Sequence, residues 1–364
     1  MSENRRNILI INPGSTSTKI ALYKDGQPAF VKNFSHSREE VAACATWLEQ
    51  VPFRAQALRN FISEFGITKD DIDFIVPRYI VGSAATYPGH YTVNEALIDY
   101  IRSGRNAFHI MSITPMIAYE VFGLDVPMAV CSYDSYLGID PVLTVTGIPG
   151  IRRSVTKCHM ENITAVSGKV AQEAGRAKNE LSIIVAHLGG GCSFAWVNKG
   201  VISYTMFDGE TCMTPERSGA VPALPLVDLC YSGEFTKEQM VKKIKGAGGL
   251  VAHFGTNDAL EIEKRAIAGD EQAKLIYDGM LVQAAGCIGE IAAVAKGKVD
   301  YIAITGGLAR GKYVTDRIAE HVGFIAPVKV YPGEFEMESF ASFGESVLNG
   351  DIPVSAFDPA LIKE

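Results

Sequence analysis

A chain of 364 residues with 47% hydrophobic and 21% charged side chains is too apolar for a disordered protein and longer than one core usually serves, so two domains are expected. The formal net charge of -7 argues against the basic face that polyanion binding requires, which removes nucleic acid from the expected partners. Its seven cysteines (Cys44, Cys131, Cys158, Cys192, Cys212, Cys230, Cys287) are odd in number and lack Cys-x-x-Cys spacing, the usage of reduced thiols in a cytoplasmic protein.

The opening MSENRRN is polar, and the apolar run behind it, Ile8 to Ile11, is too short for a signal segment. That run and Lys19 to Tyr23 read as strands around a loop of small residues, with Lys24-Asp25-Gly26-Gln27 as the turn of a following hairpin. Leu58, Phe61, Ile62 and Phe65 keep helical spacing up to a stop at Gly66, and Asp73 to Val76 reads as another strand. Helices are expected at Tyr91 to Ile101, Thr114 to Val121 and Ile163 to Ala174, with a strand at Val126 to Val130. A second apolar run, Ile183 to Ala186, enters His187-Leu188-Gly189-Gly190-Gly191-Cys192-Ser193 and leaves through Phe194 to Val197 to a turn at Lys199-Gly200. These two strand-loop-strand designs, near residues 8–23 and 183–203, suggest an internal duplication with a domain boundary near residue 170. Asp258 to Ala268 and Glu271 to Ala295 read as helices parted by Gly269-Asp270. The apolar stretch Leu281 to Ala295 carries Gln283 and Glu290 and is shorter than a bilayer span, so no membrane segment is expected. Tyr301 to Ile304 then leads into a third glycine turn, Thr305-Gly306-Gly307-Leu308-Ala309-Arg310-Gly311.

Small residues let main-chain N–H groups converge on an anion, and Ser or Thr hydroxyls add donors without bulk. Asn12-Pro13-Gly14-Ser15-Thr16-Ser17-Thr18-Lys19 suits that task, although a single such loop could be an ordinary hairpin. Three of them, each after an apolar strand, point to nucleotide phosphates. GxxxxGKS/T is absent, and no GxGxxG opens a helix after the first strand, which disfavours P-loop and Rossmann folds.

The Ile8-to-Tyr23 segment, the His187-to-Ser193 loop, Thr214-Pro215-Glu216-Arg217-Ser218-Gly219, Gly248 to Asp258, Thr305 to Arg310, Tyr331-Pro332-Gly333-Glu334 and Glu336-Met337-Glu338 occur in an order that resembles the butyrate kinases of the acetokinase family almost end to end. The resemblance implies an α/β fold of two duplicated actin-like (ribonuclease H-like) domains with an ATP cleft between them. Residues 1–170, joined by 340–364, would form the N-terminal domain, and residues 171–339 the nucleotide-binding C-terminal one. It further implies a cytoplasmic homo-oligomer, dimer or higher. Its reaction would move a phosphoryl group from ATP, with Mg²⁺, to a small carboxylic acid such as butyrate.

Roles carry over residue by residue. Asn12 matches the family asparagine beside the phosphates, with Ser15, Thr16 and Ser17 in the first phosphate loop and His187, Gly189, Gly190 and Gly191 in the second. Gly306, Gly307 and Arg310 match the turn at the adenosine. Arg217 matches an arginine against the transferred phosphoryl, His159 the catalytic histidine, and Arg78 the clamp on the substrate carboxylate. A histidine after a strand is more often a core residue and an arginine more often solvated; the adjacent Gly-Gly-Gly decides for His187.

Three departures lie on the acyl side. Pro77-Arg78-Tyr79-Ile80 stands where the family has Gly-Arg-Gly-Gly, and Ile110-Met111-Ser112 follows His109 in place of Ala-Ser-Asn. Ser132 stands at a family aspartate that serves Mg²⁺ or catalysis; Asp134, two residues on along one strand face, is a candidate for that catalytic and metal role, or a surface turn residue. A carboxylic acid with a pKa of roughly 4 to 5 is already ionised at neutral pH, so the reaction asks for cations that align two anions rather than for a general base. The departures leave open a paralogue retuned to another carboxylate, or a nucleotide-binding protein with little catalysis.

Overall fold

The computed structural model describes residues 6–79, 89–105, 109–131, 137–153 and 158–361. The chain divides into two compact units, residues 1–135 with 336–364, and residues 136–335.

In the first unit the fully buried run Ile8 to Ile11 lies in strand β1 (Asn7–Gly14), which pairs antiparallel with β2 (Ser17–Lys24). Strand β3 (Gln27–Ser35) follows antiparallel to β2, and β4 (Phe74–Pro77) lies parallel to β1, giving the order β3-β2-β1-β4. The β2–β3 turn is made by Asp25 and Gly26 at φ 49° and 76°, the left-handed pair that an Asp-Gly hairpin turn demands. Helix Val51–Phe65 buries Leu58 and Phe61 and ends on Gly66 at φ 62°, as its spacing and stop signal require. Helix Glu336–Leu348 returns from the far end of the chain to pack Met337, Phe340 and Phe343 beside β1 and β4.

Two expectations in this unit need correcting. Only Glu95–Arg102 of the segment Tyr91 to Ile101 is helical, capped by the Asn94 side chain, which accepts from the Leu97 N–H. Residues His90–Thr92 instead form a strand of a small sheet with Ala129–Cys131 and Ser355–Ala356. The strand expected at Val126 to Val130 is correspondingly shifted, Met128 making only a bridge to Ile75.

The second unit repeats the opening topology. Strands β5 (Ser182–Leu188), β6 (Cys192–Asn198) and β7 (Val201–Phe207) form an antiparallel meander. Parallel β8 (Tyr301–Gly306) and β9 (Val328–Pro332) extend it to the order β9-β8-β5-β6-β7. Its second turn, Lys199 and Gly200 at φ 54° and 80°, copies that of Asp25 and Gly26, and both meanders carry a register shift in the outer pairing, at Leu22/Tyr23 and Trp196/Val197. The duplication inferred from the loops is therefore one of strand order.

Alternation along β5 sends Ile183 and Val185 to one face and Ile184, Ala186 and Leu188 to the other. Helix Met160–Ala174 covers the first face with Ile163, Val166 and Val170, so it packs within this unit although it precedes residue 170 for most of its length. Helix Glu271–Val294 covers the second face, flanked by Ala259–Ile267 and Lys312–Val322. Glu271–Val294 is long and apolar enough, by length and composition alone, to cross a bilayer, but half of its apolar window is buried. Its Gln283 accepts from the Met213 N–H at 2.9 Å, and its Glu290 accepts from Arg153 at 2.9 Å and Tyr204 at 3.0 Å.

Candidate functional site

In the first unit the loop expected to meet phosphate is a tight hairpin: Gly14 pairs with Ser17, and Ser15 and Thr16 stand exposed at the tip. Beneath it lies an arginine that sequence reasoning missed. Arg54, 0% exposed, reaches from helix Val51–Phe65 and donates to the carbonyl oxygens of Gly14 (3.1 Å), Ser15 (2.9 Å) and Ser17 (2.7 Å). It also donates to Thr18 Oγ1 at 3.0 Å and to Gln50 Oε1 at 3.1 and 3.0 Å. Thr18 Oγ1 lies 2.7 Å from His36 Nε2. Burial, and next the Arg54 charge, hold His36 below its usual pKa, so at neutral pH its Nε2 can accept the Thr18 hydroxyl proton.

At the end of β1 the structure brings Asn12 and Arg78 together and adds Glu336. Arg78 Nη1 donates to Asn12 Oδ1 at 3.0 Å and to Glu336 Oε2 at 3.1 Å, while Asn12 Nδ2 donates to the same carboxylate oxygen at 3.1 Å. The Arg78–Glu336 pair is mostly buried, each side chain being 17% exposed. Glu336 belongs to a segment whose resemblance the sequence shows, but its role emerges only when the C-terminal helix docks beside β1. Tyr79, the bulky neighbour of Arg78, is buried in the core of this unit. Asp134, Ser132 and Ile80 lie outside the described residues.

In the second unit His159 and His187 stack at 3.9 Å between ring centroids with 14° between their planes. The Ser193 hydroxyl hydrogen-bonds to His159 Nδ1 and accepts from the His159 main-chain N–H at 3.1 Å. A hydrogen-bond chain then settles the His187 tautomer. The Phe335 N–H donates to Asn162 Oδ1 at 2.7 Å, which orients the amide so that Asn162 Nδ2 donates to His187 Nδ1 at 2.8 Å and to Thr305 Oγ1 at 3.2 Å. Thr305 passes its own proton to the Gly333 carbonyl at 3.1 Å. Nδ1 of His187 is thus an acceptor, and in the neutral ring the proton sits on Nε2. Burial, with the His159 charge as a smaller cause, pushes the His187 pKa down to about 3, so the ring is neutral at physiological pH. A methyl group added at Gly189 would lie 3.5 Å from Nε2, so this N–H adjoins the glycine loop.

Arg217 meets the same loop. The Arg217 N–H donates to Thr214 Oγ1 at 3.0 Å, Thr214 Oγ1 donates to the Gly190 carbonyl at 2.7 Å, and the Arg217 guanidinium lies over Phe207 at 5.0 Å. A Cβ at Gly191 would fall 2.4 Å from Arg217 Cζ, so a larger residue there would displace the guanidinium. Gly306, at φ 92°, is buried with its Cα against Leu188: an added Cβ would meet the Leu188 carbonyl oxygen at 2.2 Å. Gly306 and Gly333 exchange main-chain bonds of 3.0 Å in both directions. Gly307 and Arg310 are exposed on the turn that follows. His159, His187, Gly189, Gly190, Gly191 and Arg217 therefore form one cluster, backed by Gly306, while Gly307 and Arg310 stand at its surface edge. Asn162 was given no role in the sequence reading; its place in the first turn of the helix that His159 caps, Met160–Ala174, was the available signal.

Comparison with known proteins gives this arrangement its context. The acetokinase family pattern matches residues 145–346. The chain is 38% identical over 352 residues to probable butyrate kinase 2 of Caldanaerobacter subterraneus subsp. tengcongensis, covering 94% of this chain and 97% of that protein. Among solved structures, Porphyromonas gingivalis acetate kinase superposes with a TM-score of 0.75 at 18% identity, over 94% of this chain and all of that one. A propionate kinase from Francisella tularensis gives 0.71 at 18% identity, over 92% and 98% of the two chains. The fold is the actin-like one of these kinases, and the chain belongs to the acetokinase family.

Proposed function

We propose that this protein is a carboxylate kinase that converts ATP and a short-chain fatty acid, butyrate or a related acid, into ADP and an acyl phosphate. The observation that carries the reading is the second-unit cluster, where the neutral His187 N–H and the Arg217 guanidinium adjoin one glycine loop. A cation and a neutral donor at one slim loop suit a phosphoryl group whose oxygens gain charge in a loose transition state. In this reading Gly189 to Gly191 and the Gly306 turn hold ATP, with Gly307 and Arg310 toward the nucleoside. His159 and Arg217 neutralise the transferred group. In the first unit Arg78 receives the substrate carboxylate, for which a guanidinium fork is the fitting donor, with Asn12 and Glu336 fixing its position. The domains of the enzyme are taken as the two compact units, residues 1–135 with 336–364, and residues 136–335.

The residues also suit Mg²⁺. No group of three or more His, Cys, Asp or Glu that could cage a metal occurs among the described residues. Mg²⁺ is typically bound through one or two carboxylates plus substrate phosphates and water, so Glu336 and, as a second candidate, Asp134 would suffice. When bound it would offset phosphate charge. The helix Ala223–Tyr231 exposes Leu224 (79%) and Tyr231 (87%), which supports self-association through this face. None of the seven cysteines forms a disulfide, in keeping with a cytoplasmic protein.

The decisive experiment is a hydroxamate assay for acyl phosphate with Mg-ATP and a panel of C2 to C6, branched and aromatic acids. Turnover of at least one acid is expected. Silence toward all of them, with Mg-ATP still bound in calorimetry, would overturn the reading in favour of a nucleotide-binding protein.

A further inference from the structure

Arg54 is a buried cation held by neutral acceptors. Its five acceptor atoms are three main-chain carbonyls of the first hairpin, the Thr18 hydroxyl and the Gln50 amide, and among the described residues no carboxylate pairs with it. An uncompensated buried charge is costly, and burial lowers even this guanidinium's pKa to about 10. A hairpin needs no buried cation: the β2–β3 turn of the same sheet is made by Asp25 and Gly26 in left-handed conformations, with Asp25 also bonded to the Arg6 main chain. The charge therefore calls for a reason beyond the turn.

The reason lies in the peptide planes. In a trans peptide the C=O of one residue and the N–H of the next point in opposite directions, and every peptide here is trans. Arg54 draws the Gly14 and Ser15 carbonyls inward, so the Ser15 and Thr16 N–H groups face outward. Among the described residues those two N–H groups meet no acceptor, and both residues are exposed. Two parallel donors above a buried positive charge make an anion seat.

We infer that Arg54 is a positioning residue: it locks the Ser15 and Thr16 N–H groups outward and places a positive charge beneath them, so that the hairpin tip binds phosphoryl oxygens through its main chain. This rests on the carboxylate kinase reading for the identity of the ligand, which is a phosphoryl group of ATP or of the acyl phosphate.

The test is calorimetric titration of the native protein and of Arg54→Lys with Mg-ATP, acyl phosphate and the carboxylic acid separately. Arg54→Lys keeps the charge but loses most of the fixed fork. It should weaken phosphoryl ligands about tenfold and leave the acid unchanged. Weakening of ATP alone or of acyl phosphate alone identifies which phosphoryl group sits at the tip. A merely structural role would lower the fraction of binding-competent protein and leave the dissociation constants as they were, and that result overturns the inference. If Arg54→Lys does not fold, the amide resonances of Ser15 and Thr16 in the native protein decide. Large shifts with Mg-ATP or acyl phosphate support the seat, and unmoved amides at saturation with both overturn it. A native protein silent in the hydroxamate assay whose Mg-ATP affinity still depends on Arg54 would refute the kinase reading while sustaining this one.

Discussion

The two hairpin loops share a strand order and differ in what holds them. The Gly14–Ser17 turn rests on a buried arginine that gathers its carbonyls, so its tip can be built from Ser15 and Thr16 with ordinary backbone angles. The Leu188–Cys192 loop rests on close contact: Arg217 stands where a Gly191 side chain would be, and Gly306 is pressed against Leu188. A cation beneath a loop orients its peptides at a distance and tolerates side chains. Packing from outside orients them by exclusion, most strictly at Gly306, where the opposing atoms are main chain.

That contrast can be broken from the packed side first. Gly306→Ala sets a carbon against a main-chain oxygen that cannot step aside and forces a positive φ on alanine. We expect a stability loss of about 3 to 4 kcal/mol in urea denaturation, together with lost Mg-ATP binding. On the carboxylate kinase reading, Arg217→Ala removes a cation that matters most as charge spreads in the transition state; kcat should fall about a hundredfold or more while the Michaelis constant for Mg-ATP moves little. A rise in that constant alone would reduce Arg217 to a binding group.

The pH response sharpens the same side. Folded His187 stays neutral down to about pH 3, whereas in the unfolded chain it titrates near its ordinary value of about 6.5. Above that value neither state holds the proton and the residue is silent. As pH falls below it the unfolded chain takes the proton first, so stability drops, by about 2 kcal/mol between pH 7 and pH 5. The difference between the native protein and His187→Asn, followed by denaturation across that window, isolates this contribution; parallel curves would remove it. Asn162→Asp offers His187 Nδ1 a carboxylate in place of an N–H donor and draws the proton from Nε2. Turnover should fall about ten- to a hundredfold, with the tautomer change visible in ¹⁵N spectra of the ring. On the cation-backed side, Thr16→Ala should change the Mg-ATP constant less than about threefold, because the main chain and not the hydroxyl is the donor there.

The three loops were legible because each is a local run of small residues behind an apolar strand, and the chemistry of such a run travels with it. The Arg54 seat was not read, although a signal existed: Arg54 falls four residues before Leu58 and seven before Phe61, on the apolar face of its helix, where a charge has to be satisfied. Glu336 could not be assigned by spacing, since 324 residues separate it from its partner Asn12. Tyr91 to Ile101 was misread because three residues of strand are too short to show their own period, while Asn94, the cap that marks the true helix start, sits inside the run.

The first unit is written in two pieces, with the whole of the second between them. On a ribosome adding roughly 5 to 20 residues each second, β1 and its hairpin would wait about 15 to 65 s for helix Glu336–Leu348 to emerge. Until then the nascent strand pair lacks the Met337, Phe340 and Phe343 cover on its flank, and Asn12 and Arg78 lack their carboxylate. The second unit, unbroken in sequence, has no such wait. The order of synthesis thus runs opposite to the order of completion: the half begun first is finished last, and a chain that stops between the close of the second unit and residue 336 carries its glycine loop but leaves Asn12 and Arg78 without Glu336.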